Sequence, residues 1–197
     1  MILCACGLPR PKTVGGPRDN ERVTDTAFDV VDRLLAQALD ALDAVAESGS
    51  DTELIAILTR CEKATRRLDR VTVSAVAGLE RRGVFAEKGY KSSAKSSAAV
   101  LADLLRWERP QARRRVVAAE QVTPRVGLDG APRPARLPAT AAVFATGRAS
   151  LRHVDVIARV LGSASAERLA PEQRAAAEEQ LAGKADVYTP SELQVAD

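Results

Sequence analysis

A chain of 197 residues with 46% hydrophobic content is long enough to fill one sizeable core, which excludes a disordered polypeptide. Aromatic residues make up only 3%, so that core must be built from Leu, Val, Ile and Ala, a mixture suited to helix-on-helix packing rather than a β-sandwich. The net charge of +3 hides an asymmetry: residues 1–105 are neutral, residues 106–159 carry 11 arginines against Glu108, Glu120, Asp129 and Asp155, and residues 160–197 carry −4.

Cys4, Cys6 and Cys61 match neither a paired zinc spacing nor a disulfide framework, and a reducing cytoplasm is the expected setting. The opening "MILCACGLPRPK" is too short and too poorly flanked for a signal sequence or a membrane span, so no membrane partner is expected. Pro9, Pro11, Gly15, Gly16 and Pro17 mark residues 1–23 as an irregular leader, and a helical domain is expected over 24–197.

That domain opens with a long helix capped at Thr24 or Asp25, with Phe28, Val31, Leu35, Leu42 and Val45 on one apolar stripe and "SGS" at 48–50 as its stop. A second long helix follows from Asp51 to the stop at Gly83, with Leu54, Leu58, Cys61, Leu68, Val71, Ala75 and Leu79 expected on its buried stripe. The short polar loop between the two predicts antiparallel packing, so the expected fold is an all-α helical bundle. After a loop around Gly89, with Ser92 or Ser93 as a cap, a third helix is predicted from Ala94 to Leu105 and a fourth from Pro110 to about Gln121. The Pro- and Gly-rich "TPRVGLDGAPRPARLP" reads as an exposed connection. Two short helices then stop at Gly147 and Gly162, the second capped by Ser150. Pro171 opens another helix, and Thr189, Pro190 and Glu192 form a capping pattern near the C-terminus.

The stretch "RWERPQARRR" concentrates Arg106, Arg109, Arg113, Arg114 and Arg115 around the chain's single tryptophan, directly behind the third helix. Ala98, Leu101, Ala102, Leu105, Trp107 and Ala112 fall at the apolar and small positions of a helix-turn-helix hairpin. Arg106 stands in the turn where glycine is usual, and Arg115 stands at an inward position. Read as a DNA-binding unit, Arg113 and Arg114 reach the groove or its phosphates, with Arg115 joining them if it faces outward, while Arg106 and Arg109 neutralise phosphates beside the turn. Read as ordinary structure, the same arginines are the solvated face of a bundle and Trp107 is core.

His153 is the only histidine and reads as a structural residue. No nucleophile elbow, phosphate-cradling loop or second histidine accompanies it, so the sequence predicts neither enzymatic activity, nor a metal or other cofactor, nor a small-molecule substrate.

Three stretches together, "CEKATRRLDRVTVSAVAGLERRG", "GYKSSAKSSAAVLADLLRWERPQARRRVVAAEQV" and "PRVGLDGAPRPARLPATAAVFATGRASLRHVDVIARVL", resemble domain of unknown function 222. This is an actinobacterial family found at the N-terminal side of HNH-endonuclease-type proteins, the mycobacterial thirteen-E-twelve repeat proteins among them. The resemblance covers roughly residues 27–197, and Gly147, Arg148, Ser150, His153, Val154, Val156, Ile157 and Ala158 carry its most specific part. It implies a helical region preceding a nuclease domain whose metal-binding residues cannot be placed here, and His153 belongs to the helical pattern. The chain is therefore expected to be a truncated member.

Three functions remain open at this point. One is a non-catalytic helical module that binds DNA and positions a nuclease. A second is a protein-interaction module, including a homodimer formed through the long helices. A third is a truncated remnant of an HNH endonuclease.

Overall fold

A computed structural model describes the backbone of residues 19–87 and 94–195, with side chains placed over 26–85 and 97–194. The leader over residues 1–18, and the loop with Gly89 and the candidate caps Ser92 and Ser93, lie outside the described residues. The chain divides into two units, Met1–Ile57 and Leu58–Asp197.

The first unit is built on helix α1, Asp19–Ser48. Its start lies five residues before the expected cap at Thr24, because after Pro17 and Arg18 nothing in "DNERVT" breaks a helix. Ser48, Gly49 and Ser50 close it as expected, and helix α2 then runs over Asp51–Arg81. The cap of α2 sits one residue earlier than predicted, on Ser50, whose backbone N–H and hydroxyl both donate to Glu53 Oε2 at 2.8 and 2.7 Å. These bonds favour the ionised carboxyl and hold the Glu53 pKa below its ordinary value.

The apolar stripes of these helices are mostly exposed, except that Leu42 and Val45 of α1 are half-buried and Leu79 of α2 packs, partly buried, against the core. Phe28, Val31 and Leu35 on α1 are 61%, 56% and 46% exposed, and Leu58, Leu68 and Val71 on α2 are 72%, 54% and 57% exposed. The residues of α2 that enter the core are Val73, Val76 and Ala77, one row round from the expected stripe. Cys61 is half-buried and Ala75 is exposed. Periodicity finds both rows but cannot say which one a neighbouring helix covers.

In the second unit, Gly83 ends α2 in the left-handed region at φ 67°, and Phe85 of the short helix α3, Val84–Glu87, is buried. Helices α4, Ala94–Leu105, and α5, Arg109–Val122, form a packed hairpin. Their small residues Ala98, Ala102, Ala112 and Ala119 permit close approach, and Leu101 and Val116 fill the seam. Leu105 is an exception to the expected hairpin pattern: it is 46% exposed at the last turn of α4.

The connection after α5 is more ordered than a plain loop. Strands β1, Arg125–Val126, and β2, Pro132–Arg133, pair antiparallel across a turn at Gly130, φ 76°, where Asp129 accepts from the Ala131 N–H at 3.1 Å. Helix α6, Pro138–Ala145, follows. Its N-terminus lacks a local side-chain cap, and Glu178 from a distant helix supplies one: its Oε1 accepts from the Thr140 N–H at 2.8 Å while only 4% exposed.

Helix α7, Leu151–Leu161, lies at the centre of this unit. Leu151 and Val154 face the cluster made by α2, α4, α5 and α6, whereas Val156, Ile157 and Leu161 face a second cluster. Helices α8, Pro171–Lys184, and α9, Pro190–Val195, complete that second cluster through Ala177, Leu181 and Leu193. Gly147 and Gly162 end α6 and α7, Pro171 opens α8, and Thr189 and Glu192 cap α9 reciprocally, as the sequence predicts. At Gly147, φ 75°, an added Cβ would sit 3.1 Å from the Lys63 carbonyl oxygen, so glycine is required there for approach as well as for conformation.

Candidate nucleic-acid interface

The α4–α5 turn shows how the sequence makes its sharp corner without glycine. Arg106 adopts φ 55°, the left-handed conformation that ends many helices, and the Trp107 N–H donates to the Ala102 carbonyl at 3.1 Å. This bond from the second residue past the helix end is the signature of a Schellman cap, in which Arg106 occupies the position glycine prefers. The turn thus holds Arg106 outward and sends Trp107 back onto the core, where it is partly buried.

Helix α5 begins beyond Glu108, which gives no side-chain cap to the N–H groups of the first turn, and Pro110 has none to satisfy. Arg106, Arg109 and Arg113 are exposed and Arg114 is half-exposed. No ion pair of these four is found among the described residues. The positive end of the helix dipole and the nearby guanidinium groups add to one another there.

Arg115 does not join this surface. Its Nη2 lies 2.6 Å from Asp69 Oδ1, its guanidinium carbon sits 4.3 Å from the centre of the Trp107 ring, and its Nη1 donates to the Gln111 carbonyl at 3.4 Å. With side chains 17% and 19% exposed, Arg115 and Asp69 form a half-buried clamp between α5 and α2. No sequence signal points to Asp69 as a partner 46 residues away.

Arg113 and Arg114 form one wall of an open groove of about 420 Å³, and α7 forms the other with Asp155, Ala158 and Arg159. Arg159 reaches Asp155 at 3.4 Å, a long and mostly exposed pair. Folding therefore adds Arg159 to the basic cluster, a residue that spacing in the sequence does not group with it. A second cavity, of about 280 Å³, has an apolar floor of Ala77, Val116 and Ala119, and Arg81, Arg125 and Arg136 stand at its rim beside Glu80 and Glu120.

His153 is 2% exposed and holds structure together. Its Nδ1 accepts from the Ser150 N–H at 3.0 Å, closing the capping box of α7, and its Nε2 lies 2.9 Å from the Tyr188 carbonyl. A carbonyl only accepts, so Nε2 carries the proton and Nδ1 does not. Burial lowers the pKa from its usual 6.5; the Tyr188 bond opposes that shift, and Arg66 reinforces it. The ring thus ties α7 to the segment entering α9. Among the described residues no three His, Cys, Asp or Glu side chains form a metal-binding group, and no helix is long and apolar enough to cross a membrane.

The family model of a domain of unknown function (DUF222) matches residues 55–196. The chain belongs to the DUF222 family. No curated protein and no solved structure matches it. The DUF222 region takes in most of α2 and every later element, so the arginine hairpin, the Arg115 clamp and the His153 tie all lie inside it, whereas α1 lies outside.

Proposed function

We propose that this DUF222 domain is a non-catalytic, cytoplasmic module that binds duplex DNA through the α4–α5 hairpin. The observation that carries the reading is a set of four arginines, Arg106, Arg109, Arg113 and Arg114, which make no ion pair among the described residues and stand on the turn before α5 and on the outer face of its first turns, where Glu108 gives no side-chain cap. Arginine forks match phosphate oxygens, and a helix N-terminus offers N–H groups to the same atoms. The groove beside α5 gives Arg113, Arg114 and Arg159 a common direction of approach to a phosphate backbone. Arg115 takes no part in contact, being held by Asp69 and Trp107. The implied role is delivery of an HNH-type nuclease, in the same polypeptide or another, to DNA.

Fluorescence anisotropy with a short duplex tests this reading. Four to five phosphate contacts predict a slope of log affinity against log salt of roughly −4. Arg113→Ala and Arg114→Ala should each make that slope shallower by about 1, with helicity unchanged. Absence of binding at about 50 mM salt, where such contacts are strong, would refute it.

A further inference from the structure

The β1–β2 hairpin, which lies wholly within the second unit, has no part in the α4–α5 contact. None of residues 124–134 is buried, and neither Val126 nor Leu128 joins a core cluster. The hairpin is nevertheless ordered by its own hydrogen bonds. The Gly127 N–H donates to the Ala131 carbonyl at 2.8 Å, the Gly130 N–H donates to the Gly127 carbonyl at 2.9 Å, and Arg133 pairs with Asp129 at 3.1 Å. Its root is fixed to α5. The Leu137 N–H donates to the Gln121 carbonyl at 3.0 Å, Arg125 Nε donates to the Pro134 carbonyl at 3.1 Å, and Ala135 and Leu137 are buried. An arm that is held in place yet covers no core is placed to meet a partner.

The arm is cationic. Residues 124–136 hold Arg125, Arg133 and Arg136 against Asp129 alone, and Asp129 is taken by Arg133. Arg125 and Arg136 make no ion pair among the described residues. They line one cavity with Arg81, Glu80 and Glu120. The two carboxylates offset two of the three arginines, so the cavity by itself is a poor trap for a free anion. Position gives these cations their use. Glu120 lies seven residues beyond Arg113, two turns along the same face of α5, and both are exposed. The outer face of α5 is therefore bordered by guanidinium groups at both ends, with Arg106 and Arg109 before it and Arg125 and Arg136 after it. The helix between them has 14 residues and is about 20 Å long, enough to cross a major groove of about 12 Å.

From these features we infer that the β1–β2 hairpin is a second DNA contact, in which Arg125 and Arg136 hold phosphates on the wall of the groove opposite the one held by Arg106 and Arg109. The inference rests on the DNA reading of the α4–α5 hairpin and adds to it a second clamp. Between the clamps, Glu120 meets base edges rather than phosphates, and a carboxylate there can accept from a cytosine amino group.

The salt dependence of binding to a short duplex, read by fluorescence anisotropy, tests the second clamp. The α4–α5 arginines alone correspond to a slope of roughly −4, and two further phosphate contacts steepen it to roughly −6. Arg125→Ala/Arg136→Ala should return the slope to about −4 at unchanged helicity. Arg125→Lys/Arg136→Lys should keep it near −6, because an ammonium displaces counterions as a guanidinium does. An alanine double variant with the wild-type slope would overturn the inference and leave the α4–α5 contact standing. A lysine double variant with a slope as shallow as the alanine one would also overturn it, since the effect would then belong to the shape of the hairpin root and not to its charge. A wild-type chain that binds no duplex at about 50 mM salt removes the α4–α5 contact and this second clamp together.

Discussion

Replacing Arg115 by Ala separates structure from recognition within a single cluster of arginines. The substitution removes a charge-assisted hydrogen bond of 2.6 Å to Asp69, worth about 1.5–3 kcal/mol, and a guanidinium stacked at 4.3 Å on Trp107, worth about 0.5–1 kcal/mol. Part of this is recovered, because the buried Arg115 Nε has no hydrogen-bond partner and disappears with the side chain. The net cost is about 2–3 kcal/mol, which for a unit of this size lowers Tm by roughly 6–12 °C. Thermal unfolding followed by circular dichroism measures the loss, and a double-mutant cycle with Asp69→Ala assigns it: a coupling on the order of 1.5 kcal/mol or more is expected. Arg115→Lys should recover only part of the stability, since an ammonium restores the charge but not the planar fork over the ring. Below its melting temperature, Arg115→Ala should bind DNA with the wild-type salt slope. A Tm within about 2 °C of wild type, together with a shallower slope, would instead place Arg115 on the recognition surface.

Arg106→Gly relieves a left-handed residue at a helix end and should stabilise the second unit by about 0.5–1 kcal/mol in chemical denaturation, while making the salt slope shallower by about 1. Glu178→Ala deprives the Thr140 N–H of its buried acceptor and should cost about 1–3 kcal/mol in the same assay, whereas Glu178→Gln, which keeps a carbonyl oxygen, should cost less. His153 sets a pH dependence. Its folded pKa lies below the unfolded value of 6.5, so the unfolded chain binds the extra proton first as the pH falls. The stability it contributes is fully present above about pH 7 and is lost progressively below about 6.5; denaturation midpoints between pH 5 and 8 should show this fall, and His153→Gln should remove it.

The punctuation of this fold is legible in the sequence because it is set by single residues acting locally. Gly83, Gly147 and Gly162 end helices, Pro171 opens one, and Ser150 caps α7. The core character of Trp107 was legible for a similar reason, since an apolar ring behind a tight turn has one direction in which to fold. The row of α2 that the core selects was not legible, because Val71 and Ala75 satisfy the same periodicity as Val73, Val76 and Ala77 and only the position of α5 decides between them. The hairpin of β1 and β2 lay hidden in a stretch whose prolines and glycines read as loop. At the candidate site, the cluster of arginines could be read from composition, but their division could not. Asp69, which claims Arg115, and Arg159, which joins Arg113 and Arg114, approach only through tertiary packing across 46 and about 45 residues of chain.

A salt titration of the full chain on a short duplex, from about 50 to 200 mM, beside the Arg113→Ala/Arg114→Ala double variant, decides whether the outer face of α5 touches DNA. The wild type should lose affinity steeply with salt, and the variant's slope should be shallower by about 2 at unchanged helicity. Equal slopes for the two proteins would contradict that contact, because the arginines on the outer face of α5 would then touch no phosphate.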